Sequence, residues 1–348
     1  MRRVLGIGAV VACGLVCSCS TIGSSGGGAS ELPSNGAGPF RRLEGTEITG
    51  GVAVAARGGL VESGMALGVV HGGDAVLFYA FAPVRRGGDP DAGVPEGDAG
   101  PGAIDPARFG ARDIRRTPLG EPPQFLEGVA VLTAAETWED GEVFDPWAVS
   151  LPDGRVRLYY AGRGGIGIAE AAARDGDLAR VGDAPVLMGA PDEASGATPR
   201  RPSVTARPGG GVVMYYEAGG GIYAATSDDG LVFTRAGAVA LPVSGEAWLS
   251  APGAATVTTP AGRAVVRLYY GVHRADGTDV VAVAASEDGR AFERALAPAF
   301  SGDAHEDFPA PLVLDARTTL LFLAYDSGTR TAPSRALAPS VSPGSIRF

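Results

Sequence analysis

Charged and aromatic residues recur at two kinds of place in this sequence. One lies just ahead of a proline that opens an apolar stretch: Asp145-Pro146, Arg201-Pro202 and Asp307-Phe308-Pro309. The other is the end of a tyrosine-rich run, where Arg163, Glu217, His273 with Arg274, and Asp326 stand. Carboxylates gathered from separate segments can act as general acid and base once their environments drive their proton affinities apart. Guanidinium groups bind planar anions or fix a carboxylate in place. Trp147 and Trp248 flank two of the openings, where they either stack on a ligand or pack in the core. Other chemistries lack their residues. His71, His273 and His305 are too scattered for a metal site, and Asp89 with Asp91 has no liganding carboxylate at the spacing a calcium loop needs. No spacing signals a Ser-His-Asp arrangement, a phosphate loop or a nucleotide fingerprint. Gly164-Gly165-Ile166-Gly167 falls between two strand-like runs with no helix behind it and reads as a turn. No cofactor is expected.

The elements that must position these residues repeat. Asp145 to Val149 leads through Pro152-Asp153-Gly154 to Val156-Arg157-Leu158-Tyr159-Tyr160, and Arg201 to Val204 leads through a glycine turn to Val212-Val213-Met214-Tyr215-Tyr216. Ala251-Pro252-Gly253 leads to Val265-Val266-Arg267-Leu268-Tyr269-Tyr270, and Phe308 to Val313 leads to Leu320-Leu321-Phe322-Leu323-Ala324-Tyr325. A copy without proline runs from Met65 to Phe81. The opening prolines 146, 202, 252 and 309 are 56, 50 and 57 residues apart. The second halves repeat too: Ser227-Asp228-Asp229-Gly230 with Phe233 matches Ser286-Glu287-Asp288-Gly289 with Phe292, and Asp175-Gly176 marks a weaker copy. Short runs of β-branched and aromatic residues between Gly, Asp and Pro turns are strands, and no stretch sustains a helical period. Four strands in a unit of about fifty residues is the arithmetic of a propeller blade. The expected fold is all-β: a five-bladed β-propeller of four-stranded antiparallel blades over residues 40–348. Residues 84–107 form a low-complexity loop insertion, and the N-terminal segment completes the last blade. Glu139, Glu193, Glu246 and Glu306 recur ahead of the openings, which suggests a structural role between blades.

A proline-opened strand, an Asp-Gly turn, a Leu-Tyr-Tyr strand and an Ala-x-Ser-x-Asp-Gly-x-x-Phe stretch resemble the five-bladed propellers of glycoside hydrolase families 43, 32, 62 and 68, over residues 60–330. The resemblance implies sugar bound over the propeller axis, at the end where the first strand of each blade begins. It also implies catalysis by an Asp in an Asp-Pro opening, a second Asp one blade on, and an acid Glu in a Glu-Gly-Pro opening. Glycoside hydrolysis needs two carboxyls, about 5–5.5 Å apart for retention and about 6.5–9.5 Å for inversion. Asp145-Pro146 matches the first of these openings. Arg201 replaces the second Asp, Ser250-Ala251-Pro252 replaces Glu-Gly-Pro, and Asp307 takes the position of that Glu in another blade. Strand ends at the same mouth add Arg163, His273 and Asp326, with Arg201 and Trp147 beside them, as ligand-binding candidates, and Glu217 as a replacement for the missing acid. Three readings follow. The first is a glycan- or oligosaccharide-binding propeller whose catalytic set has degenerated. The second is an active glycosidase using Asp145 with Glu217 or Asp307. The third is a protein-interaction scaffold, which predicts a plugged or apolar axial mouth.

Composition limits the partners. The 348 residues carry a formal charge of −10, and all 29 basic residues are arginine. An acidic chain without a basic stripe excludes nucleic acid as a ligand. Met1-Arg2-Arg3 followed by an apolar run to Val16 has the length of a signal peptide and is too short to span a bilayer. Val16-Cys17-Ser18-Cys19 reads as a lipobox with Cys19 as the lipidated residue, and Ser20 favours an outer membrane. Residues 1–19 are thus the expected lipoprotein signal peptide and 20–39 a flexible tether. Cys13, Cys17 and Cys19 all lie in this leader, so the remainder has no disulfide framework, cysteine nucleophile or cysteine metal site. The expectation is a monomer anchored in the bacterial cell envelope by a lipid, on the periplasmic or the surface side.

Overall fold

A computed structural model describes residues 38–42, 59–67, 75–83, 109–119, 128–259, 262–301, 306–313, 319–328 and 333–341. The expected signal peptide, Cys19, nearly all of the tether, the 84–107 insertion, His71, His305, Asp89 and Asp91 lie outside the described residues. Among the described residues no helix is long and apolar enough to cross a membrane.

The first sheet consists of β2 (Gly59–Leu67), β3 (Ala75–Pro83), β4 (Asp113–Leu119) and β5 (Val129–Leu132), after a short β1 (Arg41–Arg42). The second holds β6 (Phe144–Ser150), β7 (Val156–Gly162), β8 (Gly165–Ala171) and β9 (Ala179–Arg180). The third holds β10 (Arg200–Ala206), β11 (Val212–Ala218), β12 (Gly221–Ser227) and β13 (Thr234–Ala240). The fourth holds β14 (Glu246–Thr258), β15 (Ala264–Arg274), β16 (Asp279–Ser286) and β17 (Glu293–Arg294). In the fifth, β18 (Glu306–Val313), β19 (Thr319–Gly328) and β20 (Pro333–Val341) are joined by β1, which pairs antiparallel with β20. The N-terminal strand thus completes the last sheet. Every sheet is a four-stranded antiparallel meander, and the first strands β2, β6, β10, β14 and β18 pack each against the next, with β18 back on β2. This is a β-propeller.

The second strands explain why the sequence reads as apolar runs rather than alternation. β7 is buried along its whole length, because sheets cover both of its faces. Two arginines in such runs are nevertheless buried, Arg157 and Arg267. Arg157 meets Glu170 at 2.7 Å and donates to the Asp229 carbonyl of the next sheet at 2.6 Å. The Ser-x-Asp-Gly turns perform the same joining task. In each, Ser227 or Ser286 donates to its Asp (2.9 and 2.7 Å) and accepts the glycine amide (2.8 and 2.9 Å). The glycine carbonyl then receives a buried tyrosine hydroxyl from the preceding sheet: Tyr159 to Gly230 at 2.9 Å and Tyr215 to Gly289 at 2.7 Å. Gly230 has φ of 73°, and a Cβ there would meet the Tyr159 hydroxyl at 2.7 Å, so the turn requires glycine twice over.

Of the recurrent glutamates, Glu139, Glu193 and Glu246 work within a sheet, not between sheets as their spacing suggested. Glu139 is fully buried, takes two contacts of 2.8 Å from Arg180 on β9, and accepts the Tyr160 hydroxyl of β7 at 2.7 Å. Burial pushes its carboxyl up, but Arg180, the Ala135 and Glu136 amides and Tyr160 outweigh that and hold it below the usual carboxylate range. Glu193 likewise accepts the Tyr216 hydroxyl at 2.7 Å, and Glu246 meets Arg294 at 2.6 Å. Each of these three ties the start of its sheet to later strands of the same sheet.

Candidate functional site

The first strands share a local distortion. In each of β2, β6, β10, β14 and β18 the register slips by one residue against the neighbouring strand, between Val61 and Ser63, Phe144 and Trp147, Arg200 and Ser203, Ser250 and Gly253, and Asp307 and Ala310. These are β-bulges, which bend a strand and re-aim its side chains. The residue before each opening proline has positive φ: Asp145 52°, Arg201 53°, Ala251 44° and Phe308 58°. A non-glycine residue held there costs about 1–2 kcal/mol, and such strain collects where a site demands it. Proline follows without cost because the bulged residue needs no ladder hydrogen bond.

The bulges converge on one pocket. Ser63-Gly64, Asp145-Pro146-Trp147, Arg201-Pro202, Ala251-Pro252 and Phe308-Pro309-Ala310 line it, one group from each first strand. Its empty volume is about 280 Å³, counting the open mouth and the solvent above it. Most of the lining is apolar. Asp145 is 6 % exposed and accepts Ser63 Oγ at 3.2 Å. Arg201 stacks its guanidinium 4.1 Å above the Phe308 ring and donates to Glu217 Oε2 at 2.8 Å. The wall therefore combines a carboxylate, a guanidinium and an aromatic surface.

The other candidates divide as follows. Glu217 does not line the pocket; it accepts from Arg201 and from the Ala251 amide at 3.1 Å, with Arg200 at 3.9 Å. Trp147 is 7 % exposed and donates Nε1–H to the Val204 carbonyl at 2.8 Å, so it packs the second sheet on the third while one edge reaches the pocket. Arg163 is turned away and meets Glu142 at 3.1 Å, in an ion-pair group with Arg112. Asp307 lies on β18 opposite Ala324, immediately before the bulge, and Asp326 lies on β19 opposite Arg335. His273 sits outside the pocket. Its Nε2 meets Ser250 Oγ at 2.8 Å and its Nδ1 meets Asp279 at 3.0 Å, while Trp248 stacks on the ring. A Ser-His-Asp chain of hydrogen bonds thus exists where the sequence showed no sign of one. Ser250 is 1 % exposed and absent from the pocket wall, so it is not placed to attack a substrate.

One position escaped the sequence reading. Ser63 lines the pocket on β2 and donates to Asp145, at the place that Asp145 itself holds on β6. The first repeat lacks the opening proline, and Met65 marked its start. The signal that could have located Ser63 is its place two residues ahead of Met65, as Asp145 stands two residues ahead of Trp147. Among the described residues no group of three potential ligands could hold a metal ion.

No family model matches this chain, and no curated protein matches it. Solved structures do. A structure described as "Glycoside hydrolase" aligns with TM-score 0.58 at 14 % identity, over 89 % of this chain and 92 % of the other. A thermostable family-43 glycoside hydrolase aligns with TM-score 0.54 at 12 % identity, over 83 % and 95 %. An α-L-arabinofuranosidase from Podospora anserina in complex with cellotriose aligns with TM-score 0.54 at 10 % identity, over 88 % and 94 %. At this identity the likeness is one of fold: the chain has the β-propeller architecture seen in glycoside hydrolases.

Proposed function

We propose that this chain is a five-bladed propeller, with the five sheets as its blades, that binds an oligosaccharide in the axial pocket without hydrolysing it. The carrying observation is the convergence of Asp145, Arg201 and Phe308 on one pocket at the bulges of the first strands. A sugar ring presents hydroxyls, which pair with a carboxylate and a guanidinium, and an apolar C–H face, which suits an aromatic ring. Neighbouring folds include an arabinofuranosidase with cellotriose, which supports this ligand class. Hydrolysis needs a carboxylic acid that donates its proton to the glycosidic oxygen. Glu217 stands as an acceptor for Arg201 and the Ala251 amide, outside the pocket wall.

A second reading is hydrolysis by Asp145 with Glu217, whose carboxylate touches the pocket-lining Arg201 and the Ala251 amide. One experiment separates them. The protein is titrated calorimetrically with arabino-, xylo- and cello-oligosaccharides, and reducing ends are followed in parallel. We expect binding without release of reducing ends, and a loss of affinity of about 10–100-fold in Asp145→Asn. Release that Asp145→Asn or Glu217→Gln abolishes establishes the second reading. No binding to any series overturns both.

We further propose a monomer anchored through a lipid on Cys19 in the outer membrane of a bacterial cell envelope, supported by the lipobox-like Val16-Cys17-Ser18-Cys19. Detergent-phase partitioning that persists in Cys19→Ser overturns this.

A further inference from the structure

The first strand of the fourth sheet reaches further ahead of its bulge than those of the second and third. β6 and β10 begin at Phe144 and Arg200, the residues paired just before their bulges, whereas β14 begins four residues ahead of the equivalent Ser250. Glu246 to Leu249 extend the strand, and β15 follows it to Arg274. Trp248 lies on this extension and is 48 % exposed, in contrast to Trp147. One face of its indole covers His273, with centroids 4.5 Å apart and planes within 17°. The imidazole beneath is held at both nitrogens, by Ser250 at 2.8 Å and Asp279 at 3.0 Å. With Asp279 as acceptor, Nδ1 carries a proton and Nε2 faces the Ser250 hydroxyl. The buried chain thus fixes the ring on which the indole rests.

The surroundings shape the same spot. The hairpin tip of the third sheet passes alongside, and a Cβ at Gly220 would lie 3.1 Å from the Trp248 Cβ. Leu241 and Val243, in the loop that leads into β14, are 54 % and 61 % exposed. Trp248 precedes the pocket-lining Ala251 by three residues on one strand, about 10 Å at a strand's rise.

We propose that Trp248 is a stacking platform for a further sugar ring of a glycan whose end occupies the axial pocket. This rests on the pocket's binding an oligosaccharide. An indole fixed from below loses no rotamer freedom when a ring settles on its open face, so contact there goes into affinity. The buried Ser250-His273-Asp279 chain then positions Trp248 and performs no acyl transfer.

The test compares disaccharide with pentasaccharide in the arabino- and cello- series, by calorimetry, in the full chain and in Trp248→Ala and Trp248→Phe. Urea unfolding of each variant verifies the fold. The wild type is expected to bind the pentasaccharide more tightly than the disaccharide. Trp248→Ala should weaken pentasaccharide binding about five- to tenfold and leave the disaccharide unchanged, and Trp248→Phe should recover part of the loss. Unchanged pentasaccharide affinity in Trp248→Ala overturns the platform and leaves the pocket reading standing. An equal loss for both lengths also overturns it, because Trp248 is then not a separate subsite. If the wild type binds neither length, the pocket reading fails and the platform with it.

Discussion

Whether Glu217 is a structural counter-ion or a group available for chemistry can be measured as a coupling energy. Its carboxylate lies 2.8 Å from Arg201 Nη1, and the two side chains are 15 % and 16 % exposed. Arg201→Met removes a charge-assisted hydrogen bond of about 1.5–3 kcal/mol and a guanidinium–ring contact with Phe308 of about 0.5–2 kcal/mol. Glu217→Gln keeps the shape and an acceptor for the Ala251 amide but loses the charge. The single substitutions should therefore cost about 2–5 and 1–3 kcal/mol respectively, by urea unfolding near pH 7 with an unchanged m-value. In a double-mutant cycle the Phe308 contact and the Ala251 amide contact cancel, because each is lost or kept alike on both sides. What remains is the ion pair itself, at about 2 kcal/mol. A coupling below about 0.5 kcal/mol, the range of solvent-screened pairs, refutes this reasoning and frees Glu217 for the role of acid.

Two further outcomes follow from the packing. Gly253→Ala places a Cβ 1.5 Å from the Pro309 carbonyl oxygen, on backbone that cannot rotate away. It should cost more than about 3 kcal/mol or prevent folding, whereas Gly262→Ala, with open space around it at φ of 78°, should cost about 1–2 kcal/mol; circular dichroism and urea midpoints decide. Glu139 has its carboxyl held low, so the stability it contributes is complete above its ordinary value of 4.5 and is lost as pH falls through its folded value. Glu139→Gln should lower the urea midpoint at pH 7 by the equivalent of about 2–4 kcal/mol, and its midpoint should fall less between pH 5 and 3 than that of the wild type. Equal acid slopes would falsify the role given to this carboxylate.

The architecture was written locally and so was legible. Strand length, the Tyr-Tyr runs, the Ser-x-Asp-Gly turns and the proline openings are short-range patterns, and their repetition at about fifty residues specifies four-stranded units. The openings also led to Asp145 and Arg201, because a residue ahead of a proline at the head of a first strand falls at the bulge. Ser63 was missed since its copy has no proline to mark it. What the openings could not convey is direction. Asp145 faces the pocket while Glu217 folds onto Arg201 and the Ala251 amide, and Arg163 leaves for Glu142; each choice depends on a neighbour 16 to 82 residues away. Glu139 works within its own sheet because Arg180 and Tyr160 reach it there. Trp147 and Trp248, alike in sequence setting, part company for the same reason. One finds the Val204 carbonyl of the next sheet and is buried, and the other stands on a strand extension above His273. Sequence alone thus determined the repeat, the turns and the strained openings, which are properties of neighbouring residues. Only the closing of the sheets against one another decided which charges meet across them and which remain at the mouth.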